Sequence, residues 1–341
     1  MRILKYILIV TIFALISFLI VNPSPIQELN GVIFNTYYKI KFQNKHIPQG
    51  LENAINNELE NINQTMSVFR NDSKLSKLNK APANQKIFLS ASLAEVLKAA
   101  DIVNKKSKGA FDPTISPLIE AWGFGRKKDT YTLSDDEIKK KLSYSKFSKL
   151  KFAKDYSYVI KEDGRTQLNL SAIAKGYAVD KIAKLLESYQ IKDYMVEIGG
   201  EIKLSGYKNG KRKWRIGINE PKENSFNNAM ILELTDISMA TSGNYRNFII
   251  KGNQKYSHTI SPFDGKPVLS AIASVTIFAD SCMEADAYAT ALMAMDEEKA
   301  IEFAEQQDIA SVIFIYNEKQ NTKQIISSKA RAIIGAENES N

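Results

Sequence analysis

The sequence predicts an α+β domain of antiparallel, hairpin-rich sheets with packed helices, preceded by an N-terminal transmembrane or signal segment. Three observations carry this. Alternating runs are joined by turn pairs such as Asn209-Gly210 and Gly252-Asn253, the residues that two-residue hairpins need. Other stretches place apolar residues at helical spacing, as at Leu51, Ile55, Leu59, Ile62 and Met66. Finally, Arg2 and Lys5 precede Tyr6–Val21, sixteen residues without a charge.

That opening pattern marks export. Asn22-Pro23-Ser24-Pro25 ends the run with no small-x-small cleavage site. The segment therefore reads as an uncleaved anchor in preference to a cleaved signal, with the rest of the chain outside the cytoplasm. Residues 1–22 form the signal or anchor, 23–330 one domain and 331–341 a polar tail.

Composition excludes several classes. Charged residues are 25% of the chain and the net charge is 46 − 38 = +8, scattered without aromatic interleaving. No nucleic-acid partner is expected. The excess suits an anionic ligand or membrane surface. A single cysteine, Cys282, forbids an internal disulfide and a thiolate zinc site.

Along the chain, Gly31–Phe42 alternates and reads as a strand, followed by a helix over Leu51–Met66. Asp72-Ser73 caps a short helix to Asn79. Ser90 or Ser92 starts another that Gly109 closes. Ala110–Leu118 and Trp122–Gly125 form an aromatic-rich loop broken by prolines and glycines. Ser134–Glu137 is a capping box. Tyr158–Lys161 and Thr166–Leu170 read as a hairpin. A helix runs from about Ala172 to Tyr189, and its small residues and early Lys175 suit an anion. Tyr194–Ile198 is a strand closed by Gly199-Gly200. Asn209-Gly210 joins Glu201–Tyr207 to Lys211–Ile218 as a third hairpin. Strands Ala229–Leu234 and Ala271–Phe278 follow, then helices from about Glu284 and Asp296, then strands Ala310–Tyr316 and Lys323–Ser327.

Two places invite chemistry. Ala240–Asn244 is small and polar, which lets backbone approach a ligand. The runs Tyr245–Lys251 and Lys255–Ile260 after it read as a hairpin, with His258 on the second strand. A lone strand histidine is ordinarily a hydrogen-bonded packing residue. The second place is Asp286 and Thr290, at i and i+4 on one helical face. They can share a hard cation. Equally, an N-terminal aspartate favoured by the helix dipole can sit beside a threonine that bonds back to a carbonyl.

Five segments together resemble the ApbE-type FAD:protein FMN transferases. They are Met66–Asn79 (MSVFRNDSKLSKLN), Phe111–Gly125 (FDPTISPLIEAWGFG), Leu168–Asp180 (LNLSAIAKGYAVD), Ile198–Pro221 (IGGEI through WRIGINEP), and Ala240–Pro262 with Ala285–Leu292 (ATSGNYRNF, YSHTISP, ADAYATAL). The resemblance implies an ApbE-like fold and transfer of the FMN half of FAD to a threonine hydroxyl of an acceptor protein, releasing AMP. It implies that Asp286, Thr290 and the Ala172 carbonyl bind Mg²⁺. FAD, as substrate, would be contacted by Phe34, Phe69, Ala110, Phe111, Asp112, Asn169, Lys175 and Ile260, and His258 would be the catalytic histidine. Those roles make chemical sense. Mg²⁺ neutralises a pyrophosphate, and histidine, with an ordinary pKa of about 6.5, can take a hydroxyl proton near neutral pH. Two positions depart from the family pattern. Asn169 stands where an aspartate is usual in LDL(S/G)AIAKG, and Ser261 where one is usual in HTIDP. The alternatives are a Mg²⁺-dependent hydrolase that cleaves FAD to FMN and AMP, and a non-catalytic FAD-binding protein. The expected place of work is the periplasmic side of the inner membrane.

Overall fold

The computed structural model describes residues 24–125, 133–222, 227–244, 248–251, 254–317 and 321–335. Tyr6–Val21 lies outside them. Among the described residues no helix is long and apolar enough to cross a membrane.

In chain order the strands are β1 (Ile26–Ile33), β2 (Thr36–Gln43), β3 (Lys86–Phe88), β4 (Leu150–Phe152), β5 (Tyr158–Lys161), β6 (Tyr194–Ile198), β7 (Glu201–Ser205), β8 (Trp214–Asn219), β9 (Asn228–Leu234), β10 (Ile237–Gly243), β11 (Phe248–Lys251), β12 (Gln254–Ser257), β13 (Ile272–Ala279), β14 (Ala310–Tyr316) and β15 (Thr322–Ile326). The helices are α1 (Leu51–Met66), α2 (Lys74–Lys80), α3 (Ala91–Lys106), α4 (Ser116–Ala121), α5 (Asp135–Leu142), α6 (Ala174–Ser188), α7 (Cys282–Met293), α8 (Glu297–Gln306) and α9 (Ser328–Ile334).

The main sheet has eight strands in the order β1-β2-β6-β7-β10-β13-β14-β15, antiparallel at every step. Its middle is buried on both faces. Val196, Ile198, Val275, Ile277 and Ile313 pack into the larger core with α1, α3, α6 and α7. Their neighbours Met195, Phe278, Val312 and Phe314 point the other way, into a second core. There the β8–β9 hairpin and α9 cover them with Trp214, Ile216, Ile218, Leu232 and Ala330. The period of two along each strand is what serves two cores at once. A third, small cluster joins Ile115, Leu118, Trp122, Ile138 and Ile260, so α4 and α5 hold the segment after β12.

Five of the nine helices among the described residues carry a side-chain N-cap, whereas Ser90, at the start of α3, makes no cap bond. Ser73 accepts the Ser76 N–H, and Ser134 and Glu137 complete a capping box. Several strand pairings differ from expectation. Gly31–Phe42 is not one strand but parts of the β1–β2 hairpin. Its turn is Phe34-Asn35, both with positive φ (53° and 58°). A primed turn without glycine leaves no sequence mark. β5 pairs with β3 and β4, not with Thr166–Leu170. The Asn209-Gly210 turn forms, with φ of 55° and 69°. Its flanks separate, however. β7 lies between β6 and β10, and β8 pairs with β9. Burying Trp214, Ile216 and Ile218 against the far face of the main sheet outweighs the local pairing. The glycine hairpin is instead Gly199-Gly200 (φ 62° and 102°), joining β6 to β7 with Ile198 opposite Glu201. α9 was not anticipated and takes in residues read as polar tail.

Candidate functional site

Helices α6 and α7 hold each other by carboxylates. Asp180 on α6 accepts the N–H groups of Cys282 (3.0 Å) and Met283 (2.9 Å) and the Ser281 hydroxyl (2.8 Å). It thereby caps α7 from outside the helix. In return, Asp286 on α7 accepts the Gly176 N–H at 3.0 Å, in the first turn of α6. Helix starts carry unpaired N–H groups and a positive dipole end, so both carboxylates are well placed. The Cys282 thiol is fully buried, and burial pushes its pKa well up. It stays a packing residue.

The crossing admits only glycine. A Cβ on Gly176 would lie 2.2 Å from the Cys282 carbonyl oxygen and 2.8 Å from the Met283 Cα. These are backbone atoms, so no side chain can step aside. Gly176→Ala should therefore cost about 3 kcal/mol, the upper end of ordinary overpacking. Calorimetry of the ligand-free protein checks this. A melting temperature unchanged from the parent would mean that the two helices part without penalty.

A charged cluster lies where the helices meet the β6–β7 turn. The Lys175 ammonium makes a close ion pair with Glu201 and lies 3.8 Å from Asp286 Oδ1. Glu201 and Asp286 are each only 3% exposed. Burial opposes the charge on Lys175, but Asp286 and Glu201 outweigh it and push its pKa up. Burial raises both carboxyls against the pull of Lys175, and the Asp286 charge raises Glu201 further. Glu201 Oε2 is buried and finds no hydrogen-bond partner.

Thr290 stands one turn beyond Asp286, and its hydroxyl is 3.4 Å from that of Ser242 on β10. The side-chain donors around Asp286 are thus oxygens, which suits a hard cation. Among the described residues no group of three or more His, Cys, Asp or Glu is placed to hold a metal. A cation here would rest on one carboxylate, neutral oxygens and the ligand's own phosphates, as Mg²⁺ commonly does.

β10 also leads to His258. Two residues after Ser242, Asn244 donates its N–H to the Ala273 carbonyl (3.0 Å). Its Oδ1 accepts the hydroxyls of Ser257 and Thr259. Ser257 Oγ in turn accepts the Thr259 N–H at 3.0 Å. His258 lies between these two residues, so its main chain is clamped on both sides. It sits just past the end of β12, not on the strand. β11 and β12 do pair, Phe248 with Ser257 and Lys251 with Gln254. Gly252-Asn253 and Tyr245–Asn247 lie outside the described residues. Phe124 meets the His258 ring edge-on, with centroids 6.4 Å apart.

Each of the remaining candidates is held by contacts of its own. Ala172 lies in the turn before α6. Asn169 forms a local turn, its Oδ1 accepting the Ser171 N–H at 3.0 Å while its own N–H reaches the Pro113 carbonyl. Ser261 Oγ likewise accepts the N–H groups of Phe263 and Asp264. Both departures from the family pattern keep a turn-forming acceptor. Ile260 is buried in the small third cluster. Asp112 staples its loop, accepting from the Thr114 N–H (2.8 Å) and the Phe147 N–H (3.0 Å). Burial pushes its carboxyl pKa up against those bonds. Ala110 and Phe111 are core residues. The Phe111 carbonyl accepts from Asn104, and its N–H donates to Ser107. Phe34 is half-buried at the β1–β2 turn, whereas Phe69 is 55% exposed.

Sequence reasoning did not single out Asp180, Glu201 or Asn244. Each left a trace: an acid nearly two turns into a small-residue helix, an acid directly after a glycine pair, and an asparagine ending a run of small residues. Which partner each would meet is a property of the packing.

The ApbE family model matches residues 34–314. The chain is 34% identical to the FAD:protein FMN transferase of Vibrio cholerae serotype O1, over 92% of this chain and 94% of that one. It is 30% identical to the protein of that name from Haemophilus influenzae, over 86% and 88%. Among solved structures, the flavin transferase ApbE from Vibrio cholerae superposes with a TM-score of 0.83 at 33% identity, covering 91% of this chain and all of that one. The apo flavinyl transferase ApbE of Pseudomonas stutzeri gives 0.85 at 28% identity, covering 92% and 98%. A match over most of the chain, in sequence and in fold, means that this chain belongs to the ApbE family.

Proposed function

We propose that this chain is an FAD:protein FMN transferase that moves the FMN half of FAD to a threonine hydroxyl of an acceptor protein. The observation that carries the reading is the joining of two centres by β10. One is the Lys175–Asp286–Thr290 group, able to hold an anion and a hard cation. The other is His258, clamped through Asn244.

In the proposed reaction the threonine Oγ attacks the FMN-side phosphorus of FAD. A new O–P bond forms, the bond from that phosphorus to the bridging oxygen breaks, and AMP leaves with the bridging oxygen. His258 takes the threonine proton as the hydroxyl attacks. Lys175 offers a fixed positive charge beside the phosphates, at the start of α6. Asp286, Thr290 and the Ala172 carbonyl would hold Mg²⁺, which when bound neutralises pyrophosphate charge. Half-buried Phe34 and exposed Phe69 offer apolar faces to the rings of FAD.

Incubating the exported domain with FAD, Mg²⁺ and candidate acceptor proteins tests this. The expected result is an acceptor heavier by one FMN phosphoester, lost when its threonine is replaced. Release of FMN and AMP with no acceptor modified would instead make the chain a hydrolase.

We further propose that Tyr6–Val21 anchors the enzyme in the inner membrane, with its domain on the periplasmic side. Full-length protein should sediment with membranes and resist extraction by high salt. A mature N-terminus found between Val21 and Asn30 would leave a soluble exported enzyme.

A further inference from the structure

Among the described residues, Glu201 carries the one buried carboxylate oxygen found without a hydrogen-bond partner. It opens β7 directly after the Gly199-Gly200 turn and is 3% exposed. One of its oxygens is spent on Lys175, and the other, Oε2, is buried without a partner. Unpaired buried carboxylate oxygens are expensive. A purely structural position here would be filled more cheaply by an apolar residue.

The surroundings explain what the acid does. Lys175 has two buried carboxylates within reach and lies against only one. Its ammonium is held on Glu201, leaving Asp286 Oδ1 3.8 Å away. Asp286 Oδ2 is tied to the Gly176 N–H, so Oδ1 is the oxygen Asp286 can offer to a ligand. Without Glu201, the flexible lysine would find its remaining partner in Asp286. Oδ1 would then be occupied.

We propose that Glu201 is a positioning residue that draws Lys175 off Asp286 and so keeps the Asp286 carboxylate open for a divalent cation. This rests on the reading of Asp286 as a metal ligand. Glu201 itself touches neither cation nor substrate and acts through the lysine.

Mn²⁺ binding, followed by the loss of the free-ion electron paramagnetic resonance signal, tests the idea without turnover. The full-length protein is compared with E201Q, K175M and the double variant E201Q/K175M. E201Q should weaken Mn²⁺ binding about tenfold or more, the scale of groups that orient metal ligands. K175M should bind at least as tightly as the parent, since no ammonium remains to compete. The double variant should match K175M within about twofold, the non-additivity expected of residues acting through one another. An equal loss from E201Q in both backgrounds would mean that Glu201 acts on the cation directly, and unchanged affinity in E201Q would mean that it does not act at all. Either result overturns the proposal. If E201Q is too unstable to titrate, K175M against E201Q/K175M can still overturn the proposal, because the double variant leaves no orphaned ammonium and a loss of binding there would mean that Glu201 acts on the cation itself. A parent protein that binds no Mn²⁺ removes the metal reading itself, which separates that failure from one confined to Glu201.

Discussion

His258→Asn should slow FMN transfer by roughly 10²–10⁴-fold while leaving FAD affinity close to that of the parent. In the proposed reaction FAD is held by its rings and its pyrophosphate, and neither contact requires the imidazole. The base is needed only as the threonine proton leaves. Its contribution therefore belongs to the transition state and appears in the rate of transfer. Asparagine keeps a similar polar shape but is no useful base. The clamp around position 258 uses Asn244, Ser257 and Thr259, none of which changes, so the loop should keep its path. Flavin-fluorescence titration measures affinity, and acceptor mass against time measures transfer. His46, the other histidine of the chain, is the control, and its replacement should be silent. A His258→Asn protein that binds FAD, melts and transfers FMN like the parent would remove His258 from the mechanism.

Asp286→Asn should reduce Mg²⁺-supported transfer by about 10²–10³-fold, the cost of removing one preorganised electrostatic group. Asparagine can still accept the Gly176 N–H, so the lock between α6 and α7 survives and the loss reports on charge. It should also abolish Mn²⁺ binding by the ligand-free protein. Thr290→Ala removes only a neutral oxygen and should do less damage. EDTA should silence the parent enzyme in the same way. Full-rate transfer in excess EDTA would dismiss the metal role of Asp286, Thr290 and Ala172 together.

Helices were legible because their signals are local. Leu51–Met66 declares itself by spacing, and Ser73 and Ser134 by the caps they form within one turn. Strands β13 and β14 were legible too, as apolar runs bounded by turn residues. The family resemblance, resting on five short segments, held over the whole matched region. Pairing partners were less legible. A strand's choice between neighbours depends on which face it buries, and that is decided far away in the chain. Lys211–Ile218 looked like the mate of Glu201–Tyr207 because a good turn joined them. The second core claimed it instead.

The site divides along the same line. Residue types alone identified an acid and a hydroxyl on one helical face, a lysine near a helix start and a histidine among small polar neighbours. Those choices are chemical, and the side chains carry them wherever the chain runs. Only packing could reveal that Asp286 caps α6 while Asp180 caps α7, since the two carboxylates act across more than 100 residues. Only packing could place Lys175 between Glu201 and Asp286, or set Asn244 across His258. Such contacts depend on the closeness of α6 and α7 at Gly176 and on where β10 ends. Both are consequences of burying two apolar faces of one sheet, a balance summed over the whole chain and written in no single stretch of it.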